Sequence, residues 1–134
     1  MNNRAAKVRG SCGEDFAARW LESKGYRVLA RNYHTRQGEL DIVAEKEGVL
    51  AFVEVKTRAK NALISGAEAV TPEKQRRIIA AALAFAEEPD FAACVALQPR
   101  FDVLEITVLA DRRCRVRHLT AAFDLSEQIT GLSM

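Results

Sequence analysis

Hydrophobic positions follow two periods along this chain, and the switches between them mark its elements. Phe16, Ala17, Trp20 and Leu21 recur at helical spacing, which predicts a helix over Ser11 to Lys24 with Gly25 as its stop. Residues 1–10 before it are polar and are expected to form a loose tail. Tyr26, Val28 and Ala30 alternate as one side of a strand over Tyr26 to Asn32. Two further strands are expected at Glu39 to Glu45 and Val49 to Thr57, joined by Lys46-Glu47-Gly48. A loop from Arg58 to Val70 follows. Thr71-Pro72-Glu73 then announces a second helix, with an N-cap, a proline in the first turn and an acid at the positive end of the dipole. Ile78, Ile79, Ala82, Leu83 and Ala86 give that helix its buried stripe, and Pro89 ends it. Arg100 to Leu109 and Cys114 to Leu119 read as a last hairpin around Ala110-Asp111-Arg112-Arg113. The order α-β-β-β-α-β-β predicts an α/β fold, a mixed sheet flanked by helices.

Composition narrows the class. The chain has 134 residues, 49% hydrophobic and 28% charged, which suits a single domain over 1–134 and excludes a disordered or collagen-like chain. No apolar run approaches the roughly 18 residues of a membrane span, and the first residues lack the apolar core of a signal peptide. Cys12, Cys94 and Cys114 are odd in number and form no C-x-x-C pair, so neither a disulfide scaffold nor a zinc finger is expected. A cytoplasmic protein with no membrane partner is the expectation. The net charge of +2 is too small to indicate nucleic acid by itself, so any DNA-binding charge must be segregated on one face.

The informative residues are charges set inside strands. In Phe52-Val53-Glu54-Val55-Lys56-Thr57-Arg58, alternation puts Glu54 and Lys56 on one face with Leu50 and Phe52. If the preceding hairpin turns through two residues, Glu47 and Gly48, then Lys46 pairs with Val49 and Asp41 falls opposite Glu54. A three-residue turn displaces that pair by one step. Directly paired side chains have Cβ atoms about 4.5–5.5 Å apart, where like charges repel. Two such carboxylates call for a cation, and hard oxygen ligands suit Mg²⁺ or Mn²⁺. Lys56 would stand beside it, ready to hold a phosphate or the attacking water, as phosphodiester hydrolysis requires. Glu-x-Lys alone is a weak signal. Glu22-Ser23-Lys24 repeats it on a helix, where residues two apart do not share a face; without Asp41 an exposed strand face is the better account of Glu54 and Lys56, and Asp41 one hairpin arm away reverses that preference.

At these residues the chain resembles the PD-(D/E)XK nuclease superfamily, with its restriction-endonuclease-like α-β-β-β-α-β core, and within it the YraN-like family of small endonuclease-like proteins. The resemblance runs from Gly13-Glu14 to Ala122-Phe123 through Gly25-Tyr26, Arg31-Asn32-Tyr33, Gly38-Glu39-Leu40-Asp41, Phe52 to Arg58 and Arg100-Phe101-Asp102-Val103. It implies that Asp41 and Glu54 are metal-binding acids and Lys56 the catalytic lysine. It also implies that Glu14 corresponds to an acid which several members place at the metal. Leu40 stands where the superfamily's name has proline, a residue that shapes backbone and carries no chemistry. Glu14 serves equally well as an acid stabilising a helix dipole.

The remaining candidates each have two readings. Glu39, on the face of Asp41, either orients a ligand or pairs with an arginine. Arg58 and Lys74 flank the acids and are candidate phosphate contacts. Arg115 and Arg117 alternate with Cys114 and Val116 as a basic strand face, suited to a DNA backbone or to guarding a sheet edge. His34 and His118 have no ligand-spaced partners, and Trp20 reads as core. The expected activity is metal-dependent cleavage of DNA, branched or otherwise structured forms included. A DNA-binding module of the same fold without cleavage is the alternative, and a structural protein with internally paired acids a third. Two cuts in a duplex favour a homodimer, with Leu119, Phe123 and the segment Thr120 to Leu125 offered either to a partner or to the chain's own core.

Overall fold

The computed structural model describes residues 2–59 and 70–124, with the backbone alone for residues 2–12, 59 and 95. The elements run α1 (Asn2–Ser23), β1 (Arg27–His34), β2 (Glu39–Lys46), β3 (Val49–Ala59), α2 (Pro72–Glu87), a 3-10 segment (Pro89–Ala96), β4 (Gln98–Val108) and β5 (Cys114–Phe123). The expected α/β order is the observed one. All strands join one five-stranded sheet in the order β1-β2-β3-β4-β5. Its pairs are antiparallel except β3 with β4, which run parallel because α2 carries the chain back between them.

Helices cover both faces. Ile78, Ile79, Ala82 and Phe85 of α2 pack on Val43, Leu50, Phe52, Phe101, Val103 and Phe123. On the opposite face, Ala17, Ala18 and Leu21 of α1 pack on Ile42, Ala44, Ala51, Val53, Leu104 and Ile106. Stacked rings tie the α2 layer together: Phe52 on Phe101 at 5.4 Å, Phe101 on Phe123 at 5.2 Å and Phe85 on Phe91 at 4.3 Å. Each such pair adds about 0.5–1.5 kcal/mol beyond burial. No helix among the described residues is long and apolar enough to cross a membrane.

Several expectations are corrected. The first helix begins at Asn2, where periodicity placed a loose tail; Arg4, Ala5, Ala6 and Lys7 are strong helix formers that carry no apolar stripe. It ends as predicted at Gly25, whose φ of 94° permits paired hydrogen bonds from Gly25 N–H to Glu22 and from Tyr26 N–H to Leu21. A register shift between Val28 and Ala30 breaks the alternation expected in β1, so Ala30 joins the α2 layer while Val28 stays with α1. Leu83, predicted to be buried, is 59% exposed, and Phe85 fills the stripe in its place. Of the loop expected between Arg58 and Val70, residues 60–69 lie outside the described residues. Leu119 and Phe123 pack into the chain's own α2 layer, so they are not an exposed apolar surface for a partner; Leu125 lies outside the described residues.

Candidate active site

The turn between β2 and β3 sets the register of the site. Glu47 and Gly48 both have positive φ, 50° and 81°, as a two-residue type I′ turn requires. Lys46 therefore pairs with Val49, and pairing continues to Ile42 with Val53. One step further brings Asp41 opposite Glu54. There the backbone ladder gives way to a side chain: Asp41 Oδ2 accepts the Val55 N–H at 2.8 Å. The edge of β3 is thus met by the carboxylate itself.

Glu54 is 5% exposed, enclosed by two lysines. Lys74 Nζ lies 2.9 Å and Lys56 Nζ 3.9 Å from Glu54 Oε2. Both lysines hold this buried oxygen as ion pairs, and it has no hydrogen-bond partner among the described residues. Lys74 owes its place to the start of α2. Thr71 Oγ1 accepts the Lys74 N–H at 3.2 Å, and Pro72 occupies the first turn, so the cap predicted from sequence fixes the lysine's backbone.

Burial and crowding shift these groups apart. Asp41 is pushed up from 3.8 to about 8, first by loss of water, then by its hydrogen bond and charge repulsion with Glu54; the Val55 N–H and the more distant Glu14 pull in opposite directions. Lys56 is lowered, chiefly by burial and then by its hydrogen bond to Lys74, against the attraction of Glu54 and Asp41. For Lys74 burial works downward too, but its close contacts with Lys56 and Glu54 and the charge of the nearby acids outweigh it, leaving the amine raised. One lysine is made easier to deprotonate and the other is held cationic.

The other candidates are distributed around this centre. Glu14, half-buried on α1, reaches Asp41 through its charge, and no three His, Cys, Asp or Glu side chains converge as a metal cluster among the described residues. Glu39 is exposed and pairs with His34 at 3.1 Å, a histidine where sequence offered an arginine. Arg58 lies beside the buried Glu105 at 3.1 Å. Register carries the face of Glu54 across the sheet: Lys56 is level with Glu105 and, beyond it, Arg117, while Arg58 is level with Thr107 and then Arg115. Arg115 and Arg117 are exposed and share the face of the acids.

Sequence reasoning missed two things. Lys74, expected only as a flanking contact, touches Glu54 directly. On the opposite face, fully buried Asp102 accepts from Arg100 Nε at 2.9 Å and from Ala121 N–H at 3.0 Å, and pairs with His118 Nε2 at 2.9 Å. Arg100 also reaches Tyr26 Oη at 2.7 Å, and Trp20 sits edge-on to His118 at 5.7 Å. The signal available was a pair of charges, Arg100 and Asp102, two apart inside an apolar strand.

A family model described as Uncharacterised protein family UPF0102 matches residues 13–106, the span from the α1 approach to β3 through β4. Among similar proteins, a UPF0102 protein of Geobacter sulfurreducens is 44% identical over 120 residues, covering 90% of this chain and 91% of that protein. One from Rhodopseudomonas palustris strain BisA53 is 49% identical over 123 residues, 91% of this chain and 88% of its own length. One from Syntrophomonas wolfei is 43% identical over 115 residues, 85% and 96% respectively.

Proposed function

The chain belongs to the UPF0102 (YraN-like) family, and from its central hairpin we propose a PD-(D/E)XK nuclease that hydrolyses phosphodiester bonds in DNA with Mg²⁺ or Mn²⁺. The observation that carries this reading is the pairing of two carboxylates, Asp41 and Glu54, in a largely buried hairpin with Lys56 and Lys74 against them. DNA as substrate, branched forms included, rests on the resemblance of these motifs to that superfamily.

The donor set fits a hard divalent cation. Glu54 Oε2 is buried without a hydrogen-bond partner among the described residues, and Asp41, raised to about 8 beside Glu54, loses its proton more readily where positive charge is added. Magnesium is commonly held by one or two carboxylates, with water and phosphate oxygens completing its shell, so a third converging acid is not required. Asp41 and Glu54 would hold the ion, which when bound lowers the pKa of a water and offsets charge building on phosphorus. Lys56, the less basic amine, takes a proton from the attacking water. Lys74 stays cationic and steadies a phosphate oxygen as its charge grows. Arg115 and Arg117, exposed on the same face, grip the backbone further along without reading sequence.

The 2.9 Å contact of Lys74 with Glu54 favours a second reading, in which the chain's own lysines neutralise the acids and the domain binds DNA without cutting. Incubation with linear duplex, single-stranded and branched DNA in Mg²⁺ and in Mn²⁺ separates the two. Cleavage is expected, reduced by roughly 10²-fold or more in Lys56→Ala, the range of general acid–base effects. Tight binding with no cleavage of any substrate supports the second reading.

A further inference from the structure

The turn joining β1 to β2 and the first turns of α2 face one another across an open cleft of about 690 Å³. His34, Arg36, Glu39, Lys74 and Arg77 line it, and two of these link it to the acids: Lys74 also touches Glu54, and Glu39 is two residues from Asp41 on β2. The cleft's walls are held in place. A Cβ on Gly38 would lie 2.5 Å from the Arg77 carbonyl oxygen, so the turn is seated against α2 as closely as backbone allows. Its two acids are engaged, Glu39 with His34 and Glu73 with Arg77, each at 3.1 Å. Arg36 is exposed and has no ion pair among the described residues.

We propose that this cleft receives an unpaired strand of the substrate next to the phosphate that is cut, so that the preferred substrate is duplex DNA bearing a single-stranded arm. The proposal rests on the nuclease reading above. A volume of 690 Å³ falls within the roughly 300–1,000 Å³ of small-ligand sites, space for a splayed nucleotide. The lining suits that occupant: Arg36 and Arg77 meet phosphate, and the exposed His34 ring and the Arg36 guanidinium plane offer stacking faces to a base. Position argues the same way. The cleft lies on the β1 side of the acids and Arg115 and Arg117 on the β5 side. A strand leaving the cleft passes Asp41 and Glu54 before reaching Arg117, three strand spacings of about 4.8 Å from β2.

Anisotropy titrations in chelator, where nothing is cut, test this with a labelled blunt duplex and the same duplex carrying an unpaired arm. The wild type should bind the armed DNA about tenfold more tightly, the effect of one charge-assisted contact. Arg36→Glu combined with Arg77→Ala should erase that preference and change blunt-duplex affinity less than about twofold, with melting curves confirming the fold. Equal affinity of the wild type for both DNAs, or equal weakening of both by the variant, overturns the cleft assignment. The Mg²⁺ cleavage assay with Lys56→Ala is read independently: cutting without arm preference removes the cleft proposal and leaves the nuclease, whereas no DNA binding at all removes both.

Discussion

Replacing Asp41 by asparagine should make the metal-free protein more stable, not less. In chelator at pH 8, Asp41 and Glu54 compete for charge in a site that excludes water, and Asp41 holds its proton up to about 8 against an ordinary value of 3.8. A carboxyl raised in this way binds more protons folded than unfolded, so stability is present below pH 4, falls as pH rises, and levels off above the folded value. Integrated to pH 7, that separation corresponds to a loss on the order of 4 kcal/mol. Asparagine removes the titration. Its carbonyl still accepts the Val55 N–H, and its NH₂ can donate to Glu54 where the shared proton sits. Thermal and urea melts of wild type and Asp41→Asn in EDTA, from pH 4.5 to 8.5, measure the difference. The variant should gain on the order of 4–5 kcal/mol at pH 8 and no more than about 1 kcal/mol at pH 4.5. Adding Mn²⁺ at pH 8 should raise the wild-type melting temperature and leave the variant nearly unmoved. An Asn variant that melts at or below the wild type at pH 8 would refute the account of two carboxylates in conflict.

Three further outcomes follow from geometry already described. Asp102→Ala strands Arg100, His118 and the Ala121 N–H in the interior and should cost about 3–5 kcal/mol in urea melts; because Asp102 is lowered by His118 and Arg100 against the effect of burial, wild-type stability from this group is lost only as pH falls below its ordinary carboxylate range. Gly38→Ala forces the turn away from the Arg77 carbonyl and should lower stability by roughly 1–3 kcal/mol, with a matching drop in DNA affinity. Arg115→Ala with Arg117→Ala should weaken all DNAs by a similar factor and reduce the slope of log K against log salt by about two; an unchanged slope assigns that strand to edge protection.

What could be read in advance follows from which contacts are local. Glu47-Gly48 is a turn whose geometry is written in two residues, and from it the pairing of Asp41 with Glu54 follows by counting. Thr71-Pro72 likewise fixes where α2 begins. Lys74 is another matter. Its distance to Glu54 depends on how α2 lies over the sheet, which Ile78, Ile79 and Phe85 decide by packing on Val43, Phe52 and Phe101, strands distant in sequence. Asp102 shows the same limit. Its charge was visible inside an apolar strand, but its partner His118 arrives only through the pairing of β4 with β5. The reach of α1 back to Asn2 escaped a reading based on apolar period, because propensity without amphipathicity leaves no stripe to follow.

The two-residue turn also dictates an order of events in folding. Residues 41 to 54 form a short, local hairpin, which closes on the microsecond scale and zips outward from Glu47-Gly48. Lys46 and Val49 meet first and the acids last. Their repulsion therefore acts on the final step of zipping, and the far end of this hairpin is where the free protein should open most readily. The Val55 N–H, whose acceptor is the Asp41 carboxylate, reports on that opening. Its hydrogen exchange should rise with pH more steeply than the intrinsic rate does as pH approaches 8 in chelator and slow again when Mn²⁺ is added; the ion proposed for the chemistry would then also hold the hairpin closed.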